Sequence, residues 1–421
     1  MRKLIGTVLI VSLIIMLQLS CGGGSSSSET AGRCTKCGVP ERLPADIVNM
    51  STMYLSAKLV DIDNDGDLDL VLGNWGGQTS RETDRILLND GHGYFTDAAQ
   101  NVLPPRLMNK DWLTTDIGAA DVDDDGYTDL LMVVWAPDYS DTRLQLLMNN
   151  KDGTFKDASD LIASNDGSFQ VHNGWVRFAD LDNDGAIDFI TSTAIYRNNG
   201  TGFTATASNK WLSSVVADFN NDGLPDLVSG LSTLSLLRNA STGPGNLAFT
   251  EIPTSYSLIG GDAATVTLDL GVDGDNDIFI AQYEAFGPVA QTVKIFENQN
   301  GSFVTASGQT TATLFHPINT VVVADFNNDG RQDVFIGDAG KDSVPFPGGQ
   351  NRILIQNSSG VLVDETDTRL PIRLDYTHGM AIGDIDNDGD IDIYLANITS
   401  QTSYSPGFLI NDGSGHFTLG W

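Results

Sequence analysis

The sequence predicts an all-β chain folded as a seven-bladed β-propeller of four-stranded antiparallel blades, and three observations carry that expectation. A nine-residue acidic motif returns seven times. Four short apolar stretches accompany each copy, separated by Gly, Asn and Asp turns. The copies begin at 61, 121, 180, 218, 269, 325 and 384, so they lie 38 to 60 residues apart, a length that suits one propeller blade.

Within a unit the four stretches keep a fixed order. The first precedes the acidic loop, as in YLSAKLV, WVRFA or TVVVA, and the second follows it, as in LVLGNW, LLMVVW or IYLAN. The third ends in Asn (RILLN, LQLLMN, AIYRN, LSLLRN, VKIFEN, RILIQN, GFLIN), whose side chain can bond the backbone of the following turn and which tolerates a left-handed conformation. The fourth begins near Phe, except in copy six, where VLVDE stands. Runs of this length, rich in Val, Ile, Leu, Phe and Tyr and bounded by turn residues, are strands joined by hairpins. One such sheet cannot bury its own faces, so the units must stack, and seven close a ring.

The acidic loops are an oxygen donor set. Positions 1, 3, 5 and 9 supply side-chain oxygens, Gly at position 6 permits the sharp turn, and position 7 offers its backbone carbonyl. Ca²⁺ is a hard cation that takes six to eight oxygens at ~2.3–2.6 Å, which is what such a loop provides. Loop one offers Asp61, Asp63, Asp65 and Asp69 with the carbonyl of Asp67; loop two offers Asp121, Asp123, Asp125 and Asp129 with Tyr127. Loop three has Asp180, Asp182, Asp184 and Asp188 with Ala186; loop four has Asp218, Asn220, Asp222 and Asp226 with Leu224. Loop five has Asp269, Asp273 and Asp277 with Asp275; loop six has Asp325, Asn327, Asp329 and Asp333 with Arg331. Loop seven has Asp384, Asp386, Asp388 and Asp392 with Asp390. Up to seven Ca²⁺ are expected, the 269–277 site being the weakest because Gly271 replaces its third ligand. The ninth Asp is expected to chelate through both oxygens as the next strand begins. An EF-hand would place that ligand at position 12 and continue as a helix. Clustered carboxylates repel unless a cation offsets them, which disfavours plain solvated turns.

Side chains at these positions account for 25 of the 55 acidic residues, so the net charge of −32 is mainly a consequence of ion sites. A hydrophobic content of 41% excludes an acidic disordered chain. The acidic excess also excludes nucleic acid and anionic membrane surfaces as partners, since polyanions require basic patches.

The motif D-x-[DN]-x-D-G-x-x-D running into a strand, followed by NDGHGYF at 89–95 and NDGSGHF at 411–417, resembles the FG-GAP and VCBS repeats of bacterial surface proteins and of the integrin α-chain propeller. The resemblance spans residues 46–421. It implies a calcium-binding propeller that serves adhesion or recognition. The Phe-Gly-x-x-Pro element of the integrin-type repeat is absent, and integrin-like ligand recognition is not implied.

The chain opens with MRKLIGTVLIVSLIIMLQLSC, in which Arg2 and Lys3 precede an apolar run, the pattern of an export signal. With GGGSSSS following, it resembles a bacterial lipoprotein signal in which Cys21 becomes the lipidated first residue. Gln18 stands where Leu is usual, so ordinary secretion is the other reading. An outer-membrane or cell-surface lipoprotein, touching the membrane only through its lipid, is therefore expected. Residues 22–45 read as a flexible tether. Its Cys34 and Cys37 favour a local disulfide over half a zinc site or a redox pair.

No GxSxG elbow, HExxH or phosphate-binding glycine loop occurs, which favours a non-enzymatic role. The alternative is a propeller-type polysaccharide lyase or hydrolase. The loops after strand two would lie opposite the calcium loops and gather Trp75, Trp135, Tyr139, Tyr283, Phe286, Phe346 and Tyr404. A protein or carbohydrate ligand is expected there, bound by a monomer. His172, His316 and His378 fall near the starts of first strands, where a shared site competes with ordinary strand-end hydrogen bonding.

Overall fold

The structure is a computed structural model that describes residues 41–49, 54–75, 84–98, 102–105, 112–136, 140–163, 174–208, 212–229, 233–257, 263–282, 293–306, 308–312, 318–340, 348–397 and 405–420. Contacts divide the chain into Met1–Pro40 and Glu41–Trp421, and all described residues belong to the second unit. The export signal, Cys21, Cys34 and Cys37 lie outside them.

The described residues form seven four-stranded antiparallel sheets, each made of four strands consecutive in the chain. Blade one comprises Tyr54–Val60, Asp69–Asn74, Arg85–Asn89 and Phe95–Asp97; blade seven comprises Thr377–Gly383, Asp392–Asn397, Gly407–Asn411 and Phe417–Gly420. First strands of neighbouring blades touch around the whole circle, the last against the first, so the ring is closed. It is a seven-bladed β-propeller. Among the described residues, no strand is exchanged between first and last blades.

Burial explains the composition of each strand. The second strands Asp69–Asn74, Asp333–Asp338 and Asp392–Asn397 are buried at every residue, because both faces pack on neighbouring blades, and such strands must be apolar throughout. The fourth strands of blades one and two are three residues long, with Phe95 and Phe155 turned inward and the next two residues exposed. Between blades two and three the core includes Leu131, Leu146, Phe189, Tyr196 and Phe203, with the Phe189 and Tyr196 rings stacked at 4.3 Å.

The links between blades cover several sheet edges. Phe155 donates its N–H to the Val102 carbonyl at 2.8 Å, Ala163 to Phe203 at 2.9 Å, and Leu362 to Gln309 at 2.8 Å, so each link lies along a fourth strand of the following blade. A covered edge cannot recruit another chain. Arg42 does the same for blade one, accepting from Phe95 N–H at 2.8 Å. Beyond it Leu43 and Ile47, the latter in the short helix Ala45–Asn49, are buried among Leu59, Leu70, Tyr394 and Phe408 at the junction of blades one and seven.

One boundary differs from expectation. The third strand of blade six is Arg352–Gln356, so Gln356 takes the place that Asn holds in the other blades, and Asn357 starts the turn.

Candidate metal centres

Each acidic loop is first a knot of backbone hydrogen bonds. The leading Asp takes the N–H groups that fold the loop back: Asp61 accepts from Asn64 at 2.7 Å, Asp65 at 3.2 Å and Gly66 at 3.0 Å, and Asp325 from Asp329 at 3.0 Å and Gly330 at 2.7 Å. The fifth residue caps the seventh, as Asp65 does for Asp67 and Asp388 for Asp390, both at 3.0 Å. All seven fourth positions adopt φ of 55–64°, and Gly at position six sits at 83–98°, where a β-carbon is disfavoured.

The ninth Asp has a second role that pattern reading missed. One of its oxygens accepts from the second residue of its loop, the other from the N–H of the residue closing strand three. For Asp69 the donors are Ile62 at 3.0 Å and Asn89 at 2.8 Å; for Asp277, Leu270 at 2.8 Å and Asn298 at 2.6 Å. Both oxygens expected to chelate are thus already tied to backbone, leaving only their remaining lone pairs for an ion.

Carboxylate oxygens within 4.8 Å of one another are contributed by Asp61, Asp63 and Asp69; by Asp121, Asp123 and Asp129; by Asp180, Asp182 and Asp188; and by Asp384, Asp386 and Asp392. Position five is not part of these groups. In loops four and six, Asn220 and Asn327 stand at position three and donate to Asp222 at 2.9 Å and Asp329 at 3.0 Å. Third-position oxygens test whether a cation fits. The Oδ1 atoms of Asp63, Asp182, Asn220 and Asp386 are buried and make no hydrogen bond. A buried polar atom left so costs about 1–3 kcal/mol, and four of them at the same motif position suit a divalent cation.

Electrostatics agree. Burial pushes the ninth carboxyls up, Asp69, Asp333 and Asp392 to about 7 and Asp129, Asp188 and Asp277 to about 6, against the N–H bonds that favour the anion. Asp226 is raised for the same reason. Asp63 and Asp123 are raised by burial and then by repulsion from their own loop neighbours. Some loops also recruit a cation from the chain: Lys151 contacts Asp125 at 3.0 Å, Arg197 contacts Asp182 at 2.9 Å, and Arg42 contacts Asp386 at 3.1 Å. Arg331, whose carbonyl was the expected ligand, turns its guanidinium onto Asp329.

Two sets of bonds join loops to the next blade, the first at six of the seven loops and the second at three. The amide of Asn89 donates to the Ile385 carbonyl at 2.8 Å, Asn149 to Ile62 at 2.8 Å, Asn198 to Val122 at 2.9 Å and Asn239 to Leu181 at 2.7 Å. Asn298 and Asn411 reach Phe219 and Phe326, both at 2.8 Å. Each reaches the second residue of the preceding loop. These asparagines stay extended rather than left-handed, while their Oδ1 atoms accept from their own turns as expected, Asn149 from Lys151 at 2.9 Å. In addition, Asp67, Asp275 and Asp390 accept from Asn387, Asn221 and Asn328, each at 2.8 Å. The signal was present: Asp at position seven follows a loop with Asn at position four.

On the opposite face, Trp75 and Trp135 are half-buried at the ends of second strands. Tyr139, Tyr283, Phe286, Phe346, Tyr404, His172 and His316 lie outside the described residues. The half-buried His378 ring packs 4.7 Å from Tyr376. Beside it a buried network was not foreseen: Asp375 accepts from Arg373 at 2.8 Å, Asn397 at 2.7 Å and Asn351 at 3.2 Å.

Fold and loops together define a class, a seven-bladed β-propeller built of FG-GAP-like four-stranded repeats and consistent with the integrin α-chain type of propeller. The FG-GAP-like repeat matches residues 61–132, 121–191 and 269–336. No curated protein matches the sequence. Among solved structures, the V. cholerae biofilm matrix protein Bap1 is similar at 11% identity and a TM-score of 0.39, over 87% of this chain and 93% of that one.

Proposed function

We propose that the chain is a calcium-stabilised propeller without catalytic activity, which works outside the cell as an adhesion or recognition module. Its face opposite the aspartate loops meets a protein or a glycan. The unpartnered third-position oxygens carry the calcium reading, since they are buried beside other carboxylates and bonded to nothing in the chain. Asp61, Asp63 and Asp69, with their counterparts in loops two, three and seven, hold the ion, and the ion supplies the charge that lets the hairpins close. An all-oxygen, carboxylate-rich loop suits Ca²⁺ better than Mg²⁺, which keeps several waters and demands octahedral geometry. Extracellular calcium modules bind at about 10⁻⁴–10⁻³ M, in keeping with export and an anchor at Cys21 on the outer membrane or cell surface.

Recognition is supported by the FG-GAP-like repeats and by the aromatic-bearing loops of the variable face. The lyase or hydrolase alternative finds less support, because Asp375, the most buried carboxylate among the described residues of that face, is already committed to Arg373, Asn351 and Asn397. The test is to screen the calcium-loaded full chain against glycans and surface extracts, with turnover followed on every hit. Binding without turnover is expected. Cleavage of a polysaccharide replaces this reading with the enzymatic one.

A further inference from the structure

The fifth loop differs from the other six in backbone as well as in ligand. Gly271, at position three, has φ of +96°, a conformation that none of the other six third residues adopts. A carboxylate-bearing residue placed there would be strained, so the loop is not merely an ion site lacking one acid. The Asp269–Asp277 loop nevertheless keeps its shape: Asp269 still accepts from Asp273 at 3.0 Å and Gly274 at 3.1 Å.

The hold on this loop comes from blade six. Gln356, fully buried, accepts from the Gly271 N–H at 2.7 Å and donates to the Asp269 carbonyl at 3.2 Å. Gln332 adds a third bond, accepting from Asp269 N–H at 2.7 Å. The turn of blade six also presses on the loop, since a β-carbon on Gly360 would lie 3.2 Å from the Gly271 α-carbon. In the other blades one Asn both caps its own turn and reaches the preceding loop at its second residue. In blade six these duties are divided. Asn357 takes the turn, accepting from Ser359 at 2.9 Å and Val361 at 3.1 Å, and the longer Gln356 is released to grip positions one and three.

We propose that the fifth loop has dispensed with its ion, and that Gln356 of the neighbouring blade does the ion's work of holding positions one and three together. This rests on the calcium reading of the other loops. It also gives the ring one junction whose order does not depend on calcium, between blades five and six.

Amide hydrogen exchange on the full chain, with calcium and with chelator, tests it. Calcium should slow exchange in residues 54–75 and leave 263–282 unchanged, and metal analysis should return at least one ion fewer than there are loops. Gln356→Asn, which supplies the side chain used by the other blades, should speed exchange at 263–282 about tenfold, with or without calcium, as expected for two lost hydrogen bonds. Gly271→Asp should gain no calcium response there. Calcium protection of 263–282 equal to that of 54–75 overturns the proposal alone, as does a Gln356→Asn chain that exchanges like the parent or is rescued by calcium. Calcium protection of no loop at all overturns both this proposal and the calcium reading.

Discussion

At the scale of single residues, the loops separate acids that hold backbone from acids that only face solvent. Asp129 ties Val122 N–H at 3.1 Å to Asn149 N–H at 2.8 Å, so Asp129→Asn sets an amide N–H against a backbone N–H. It should cost about 2–3 kcal/mol in urea titration even without calcium. Asp152 is exposed and bonds only within its own turn, so Asp152→Asn should stay within about 0.5 kcal/mol. Equal losses in the two variants would remove the distinction. Val272 is a β-branched residue at φ of 58° and is 56% exposed, where five of the other fourth positions carry Asn. Val272→Asn should raise the unfolding free energy by about 1 kcal/mol, and a lowered midpoint would contradict the strain argument.

At the scale of elements, one recurrent asparagine amide ties six of the seven blades to the loop of the blade before it. Asn149 spans the Ile62 carbonyl of blade one, the Thr128 carbonyl at 3.2 Å and its own turn, so Asn149→Ala should cost about 2–3 kcal/mol. A neutral outcome by denaturation would show that apolar packing alone sets the junction. These cross-blade bonds mark the boundary of what a sequence discloses. Strands, hairpins and the first, fifth and ninth aspartates recur in every unit, so periodicity exposes them. Asn387 and Asp67 meet from 320 residues apart, and their only trace is a compatible pair of residue types. The asparagine closing strand three was visible, but its bond to its own turn gave no hint of the longer reach. Gln356 illustrates the point most sharply, because its role appears only when Gly271 is seen beside it.

At the scale of the whole molecule, the proposed calcium ions would compete with protons for the same carboxylates. Burial pushes six of the seven ninth carboxyls up to about 6–7, against an ordinary 3.8, and raises that of Asp226 as well. Their contribution to stability is therefore full below about 3.8 and lost as pH rises through 6–7. Metal-free protein should melt higher at pH 5 than at pH 8 by calorimetry. Calcium should raise the melting temperature by many degrees at pH 8 and by less at pH 5, because bound protons exclude it. A metal-free melt that rises with pH would reverse the sign, and a melt indifferent to chelator would remove the ions from the account. The ring itself was predictable from the count of repeats, whereas the material that seals it was not. Arg42, Leu43 and Ile47 belong to no repeat, and they fill the gap where the last blade meets the first. Mechanical load entering through residue 41 therefore arrives first where the first and last blades meet. Pulled from its amino terminus, the protein behaves as a clasp, and force spectroscopy should record a small opening event before any blade is lost.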